Sequence, residues 1–150
     1  MARWPAPVAM LLLGCASGRP TPAPPAPDCP DALPALTDFF IAWNDSSADA
    51  RASALDRCCE PTARFVDPAS ATEGTAALAS SIAAFRARYP QATVEFGTPE
   101  QHHCTMRVRW ATVLEGGAKP LTGVDFVDLD PRGRFVRVVS FSDPPAPSPR

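Results

Sequence analysis

Apolar residues recur along this chain first with a helical period and then with a period of two. Leu33, Leu36, Phe40 and Trp43 predict a first helix from Asp31 to about Asn44. Pro34 is compatible with it because it lies in the first turn, where a missing N–H costs nothing. The run "NDSSAD" then offers Ser46 or Ser47 as an N-cap, with Asp49 near the positive end of a second helix. Ala52, Leu55 and Cys58 or Cys59 form its stripe, and Pro61 follows its end. "ARFVD" reads as a short strand. Leu78, Ile82, Phe85 and Tyr89 make the apolar face of a third helix, closed by Pro90, with Arg86 and Arg88 where the helix dipole favours cations.

Everything afterwards alternates. "ATVEFGT" puts Val94 and Phe96 on one side. "HHCTMRVRWATVL" puts Cys104, Met106, Val108 and Trp110 on one face and Thr105, Arg107 and Arg109 on the other. Glu115-Gly116-Gly117 is a hairpin signal leading to the return strand "KPLTGVDFVDLD". "DPRG" is a tight turn before the last strand, "RFVRVVSFSD". Helices with one strand, followed by an antiparallel meander, define an α+β class: a curved antiparallel sheet packed on three N-terminal helices.

Composition sets the limits of this folded part. The 150 residues suit one domain, and the net charge of −2 supplies no basic footprint, so nucleic acid is not an expected partner. Nine of 19 prolines fall in the first 34 residues and four in the last seven, which confines the fold to about 31–143. "MARWPAPVAMLLLGCASG" has one arginine and an apolar stretch, Val8 to Leu13, too short to span a bilayer. Leu12-Leu13-Gly14-Cys15 resembles the lipobox of bacterial lipoproteins. Residues 1–15 are therefore expected to be a lipoprotein signal with Cys15 as the lipidated residue, which implies a membrane anchor and an exported, cell-envelope location. The alternative is an ordinary secretory signal with an incidental cysteine. The Pro/Ala-rich stretch 16–30 is expected to be an extended spacer, and 144–150 a disordered tail.

Cys29, Cys58, Cys59 and Cys104 remain, an even number that fits disulfides in an exported protein. Pairing adjacent Cys58 with Cys59 closes a strained ring, so the expected bridges join Cys29 and Cys104 to that pair. The alternative is cysteines buried as small apolar residues. A metal site from His102, His103 and Cys104 is disfavoured, because consecutive strand residues point to opposite faces. No metal is expected.

The order of these pieces carries a resemblance. Two helices ending near "AWND", then "RFVDP", Gly74, a helix closing on "FRARYP", and hairpin-linked strands with "GVDFVDLDPRGRFVRVVSFSD" resemble the SnoaL-like branch of the nuclear transport factor 2-like superfamily. The resemblance spans about Leu33 to Asp143. It implies a cone-shaped sheet wrapped around helices, a cavity open at one end, and commonly a homodimer through the outer sheet face. Family functions include isomerases, cyclases, hydrolases and non-catalytic binding domains, with no cofactor implied here.

Candidate site residues follow. The resemblance places Asp67 near the cavity mouth; the alternative is an Asx-Pro turn capping its own loop. Asp125, within an apolar strand, either faces the cavity as a general base or faces solvent in a cross-strand pair with Arg109 or Arg137. His103 is a further acid–base candidate, or a surface residue at a strand edge. Trp43, Phe65 and Trp110 are candidate ligand-binding residues; the two tryptophans otherwise belong to the core. Asn44 either hydrogen-bonds at the mouth or caps the first helix.

Departures from catalytic relatives are equally informative. The single tyrosine, Tyr89, does not match the pocket tyrosine of ketosteroid isomerase-like members, and "RVRW" lacks the acid of the epoxide hydrolases. The sequence therefore favours a non-catalytic envelope module that binds a small apolar molecule or a protein partner. A cofactor-independent isomerase, cyclase or hydrolase is the alternative.

Overall fold

The structure, a computed structural model, describes residues 29–144. The expected signal segment with Cys15, most of the spacer and all but the first residue of the tail lie outside the described residues. These form three helices, α1 (Leu33–Asn44), α2 (Ala48–Cys58) and α3 (Thr75–Arg88), and seven strands. The strands are β1 (Cys59–Val66), β2 (Ala71–Glu73), β3 (Thr93–Phe96), β4 (Glu100–His102), β5 (Thr105–Val113), β6 (Leu121–Leu129) and β7 (Phe135–Ser142). No described helix is long and apolar enough to cross a membrane.

The sheet runs β2-β1-β7-β6-β5-β3, with β4 also on β5. The expected meander from β3 to β7 is antiparallel, but the sheet as a whole is mixed, a correction to the expected all-antiparallel sheet: β1 lies parallel to β7, with Phe65 opposite Val138. Periodicity fixes neither the partner nor the direction of strands far apart in sequence. The helical crossover after β1 and the three hairpins that follow bring β7 back alongside β1 in the same sense. The expected single strand from His102 onward is also divided. His103 adopts φ 53°, a left-handed turn conformation, and separates β4 from β5.

Helix capping follows the sequence closely. Of the two candidates, Ser47 caps α2, accepting from the Ala50 N–H at 3.3 Å, with Asp49 in the first turn. The buried face of α1 is rotated from the expected stripe. Ala35, Leu36, Phe39 and Ala42 face inward, while Leu33 and Phe40 are exposed. Phe39 sits at the centre, with ring centroids 5.2 Å from Phe135, 5.9 Å from Phe96 and 6.5 Å from Phe65. Small alanines on either side of Phe39 let the helix approach the sheet closely.

The cysteine pairing is the second correction. Cys29 bonds Cys104, joining the start of the described chain to the β4–β5 turn. Cys58 and Cys59 are free and fully buried, their sulfurs 3.3 Å apart. The helix-to-strand switch between them turns both side chains into the core. Gln101 reinforces the disulfide's junction: its Oε1 accepts from the Ala32 N–H at 2.8 Å and its Nε2 donates to the Pro30 carbonyl at 2.9 Å.

Candidate functional site

Alternation along β5, β6 and β7 directs one side of each strand inward. Trp110 and Thr112 from β5, Asp125 from β6, and Val138, Ser140 and Ser142 from β7 reach a common open cavity of about 280 Å³. The rest of its wall comes from α1, α3, β1, the β1–β2 turn, β2, β3 and Leu121 at the start of β6. Six aromatic side chains contribute: Phe39, Trp43, Phe65, Phe85, Phe96 and Trp110. Among the described residues none of its lining side chains is Lys, Arg or His.

Asp125 faces this cavity and not solvent. Its neighbours across the ladders are Val108 and Ser140, so it makes no cross-strand pair with Arg109 or Arg137. The residue is 6% exposed, and its Oδ1 is buried with no hydrogen-bond partner among the described residues. Burial pushes its carboxyl up to about 6, and the nearby Ser140 and Trp110 side chains only partly oppose the shift.

Asp67 also lines the cavity, but its carboxylate is engaged. Oδ1 accepts from the Ala69 and Ser70 N–H groups at 2.7 and 2.8 Å, and Oδ2 from the Ser70 hydroxyl at 2.9 Å. With Pro68 at the second position, Asp67 to Ser70 forms the tight turn between β1 and β2. Asp67 thus stands at the cavity wall and caps its own turn.

His103 is not brought to this site. It lies in the exposed β4–β5 turn, its Nδ1 3.3 Å from that of His102, and does not line the cavity. Asn44 does not line it either. Its Oδ1 accepts from the Val94 N–H at 2.8 Å and its Nδ2 donates to the Val94 carbonyl at 2.9 Å, clipping the end of α1 to β3.

Trp43, Phe65 and Trp110 line the wall together. Trp43 packs edge-on against Phe85 at 5.5 Å, and its Nε1 is buried without a partner among the described residues. Trp110 occupies space that Gly123 leaves open: a Cβ at 123 would stand 2.6 Å from the Trp110 Cζ2. Sequence reading overlooked Phe39, Phe85, Phe96, Ser140 and Ser142 as cavity residues. The two serines alternate with inward Val138, a period-two signal that is readable once Val138 is known to face the core.

A strongly curved mixed sheet folded around three helices, with an open aromatic cavity between them, defines an α+β cone of the cystatin-like and nuclear transport factor 2-like class. Residues 36–138 match the model of the SnoaL-like domain, and the chain belongs to that family. Among solved structures it is similar to a SnoaL-like family protein of Agrobacterium tumefaciens C58, provisionally named an isomerase. That pair shares 29% identity at TM-score 0.69, over 75% of this chain and 97% of the other. A SnoaL-like protein of Jannaschia sp. CCS1, provisionally named a polyketide cyclase, shares 14% identity at TM-score 0.60, over 75% and 85%. A cystatin-like protein of unknown function from Methylobium petroleophilum PM1 also shares 14% at TM-score 0.60, over 83% of each chain. The last two likenesses concern the fold alone. Among curated proteins, none matches the chain at a significant level.

Proposed function

We propose that this SnoaL-like domain binds a small, mostly apolar molecule in its cone cavity and is held at the cell envelope by a lipid on Cys15. One observation supports the binding reading above all: an open cavity of about 280 Å³, walled by aromatic rings, carries one buried carboxylate with an unpartnered oxygen. That volume is close to the small end of ligand pockets, about 300–1,000 Å³. Few polar groups among apolar walls is how such sites orient a guest. Native mass spectrometry of the protein from envelope extract tests this. A bound species should appear and be lost in Ser140→Phe, which fills the cavity. A bare protein mass throughout, with no ligand-induced shift in Tm, overturns it. For the anchor, Cys15→Ser should move the protein from the detergent phase to the aqueous phase.

A catalytic reading draws on a separate observation. Asp125, raised to about 6, is poised to accept a proton near neutral pH, and the Agrobacterium relative carries an isomerase name. Its test is deuterium exchange into enolisable ketones, with Asp125→Asn abolishing it. A homodimer across the outer sheet face, where Phe126, Val136 and Phe141 are exposed, belongs to the same proposal; sedimentation at graded concentrations tests it.

A further inference from the structure

Asp125 presents an electrostatic problem that the cavity itself leaves open. A carboxylate buried in apolar surroundings is costly unless it is protonated or paired with positive charge. Burial raises the carboxyl to about 6, so above that pH the group carries a charge that its surroundings must compensate. Pairing within the chain does not supply that compensation. No lining residue is Lys, Arg or His among the described residues, the Ser140 and Trp110 side chains hydrogen-bond the carboxylate without neutralising it, Oδ1 has no partner, and the other acidic lining residue, Asp67, is committed to its turn. Six aromatic side chains surround the same space, and aromatic faces attract cations, more strongly when both are withdrawn from water.

From this juxtaposition of an unpaired buried carboxylate and an aromatic wall, we infer that the natural guest is an organic cation: a protonated amine on a compact apolar body. This rests on the cavity-binding reading above and names its ligand class. The ammonium sits against Asp125 and is screened by rings of the wall, while the apolar body fills the remainder near Leu78, Val94 and Val138. A carboxylate or phosphate guest meets an uncompensated negative charge and is rejected.

Three probes of one shape separate the possibilities: para-tert-butylbenzylamine, protonated at neutral pH, the corresponding benzyl alcohol, and the corresponding benzoate. Isothermal titration calorimetry, with the fluorescence of Trp43 and Trp110 as a second readout, should rank amine over alcohol by on the order of tenfold and leave the benzoate unbound. Asp125→Asn should remove most of the amine's advantage over the alcohol. An alcohol that binds the wild-type protein as tightly as the amine overturns the cationic guest while leaving the cavity reading intact. If none of the three binds, the cavity reading fails and this inference with it. The amine–alcohol comparison uses the unmodified protein, so it holds whatever the variant does to folding.

Discussion

Gly123 on β6 lies directly opposite Trp110 on β5, and the indole occupies the place where a side chain at 123 would stand. The same missing Cβ lets the Phe141 carbonyl of β7 approach from the other side. One glycine thus allows three strands to close around a tryptophan that reaches the cavity beside Asp125. Gly123→Ala puts a methyl group against both a ring and a backbone carbonyl, and backbone cannot step aside. The expected loss is about 1–3 kcal/mol, typical of overpacking. Urea unfolding reads it directly, and an unchanged midpoint would show that the sheet has slack there.

Asp125 should cost the fold stability at neutral pH. Its carboxyl rises from 3.8 to about 6 through burial, so between those values the native state holds a proton that the unfolded chain has lost. Stability therefore falls as pH rises from about 4 to about 6, and the penalty is complete above that window. A shift of this size corresponds to on the order of 3 kcal/mol. Asp125→Asn should be more stable than wild type at pH 7, with the difference vanishing near pH 4. A constant difference across that range would remove the burial argument.

The Asn44 clip is a stability element. Replacing it with alanine leaves the Val94 N–H and carbonyl without their partners at 2.8 and 2.9 Å. The expected cost is about 1–3 kcal/mol. Hydrogen exchange should accelerate at the Val94 amide far more than at Met106, in the middle of the core. Equal protection at Val94 in both proteins would contradict the clip.

The cysteines should divide into two chemical classes. Cys29 and Cys104, 75 residues apart, close a long loop, so a Cys29→Ser/Cys104→Ser variant should lose about 4 kcal/mol by the chain-entropy argument. Cys58 and Cys59 are free yet fully buried, and the Cys58 thiol is held far above its usual value by hydrogen bonding to Cys59 and by burial. Thiolate is the reactive form. The tryptic peptide "CCEPTAR" should therefore stay unalkylated in the native protein and take up two labels after denaturation. Native labelling would place these sulfurs at the surface.

How much of this was legible in the chain varies by element. Strand β5 is readable because buried Met106 and Val108 alternate with Arg107 and Arg109, and helix α3 because the large residues Leu78, Ile82 and Phe85 recur at helical spacing among small ones. Helix α1 was read one notch out of phase, since Phe39 and Phe40 are adjacent and equally apolar, and periodicity cannot choose between them. Only the sheet decides, by packing Phe39 against Phe65, Phe96 and Phe135.

The direction of Asp125 illustrates the same limit. On β6, one set of alternating positions carries Gly123, Asp125, Val127 and Leu129, and the other carries Val124 and Phe126. Both sets are apolar, so alternation does not say which one faces inward. The adjacent strands settle it, because Val108 and Ser140 flank Asp125 on the concave side.

By itself, the sequence determined the succession of helices and strands, the tight turns and the family, because these depend on local spacing, backbone restriction and residue order. Tertiary structure alone decided that β1 pairs in parallel with β7, that Cys29 takes Cys104, and that the Asp125 carboxylate faces a cavity walled by aromatic rings. Those outcomes depend on which distant surfaces exclude water together, and no short-range pattern records that choice.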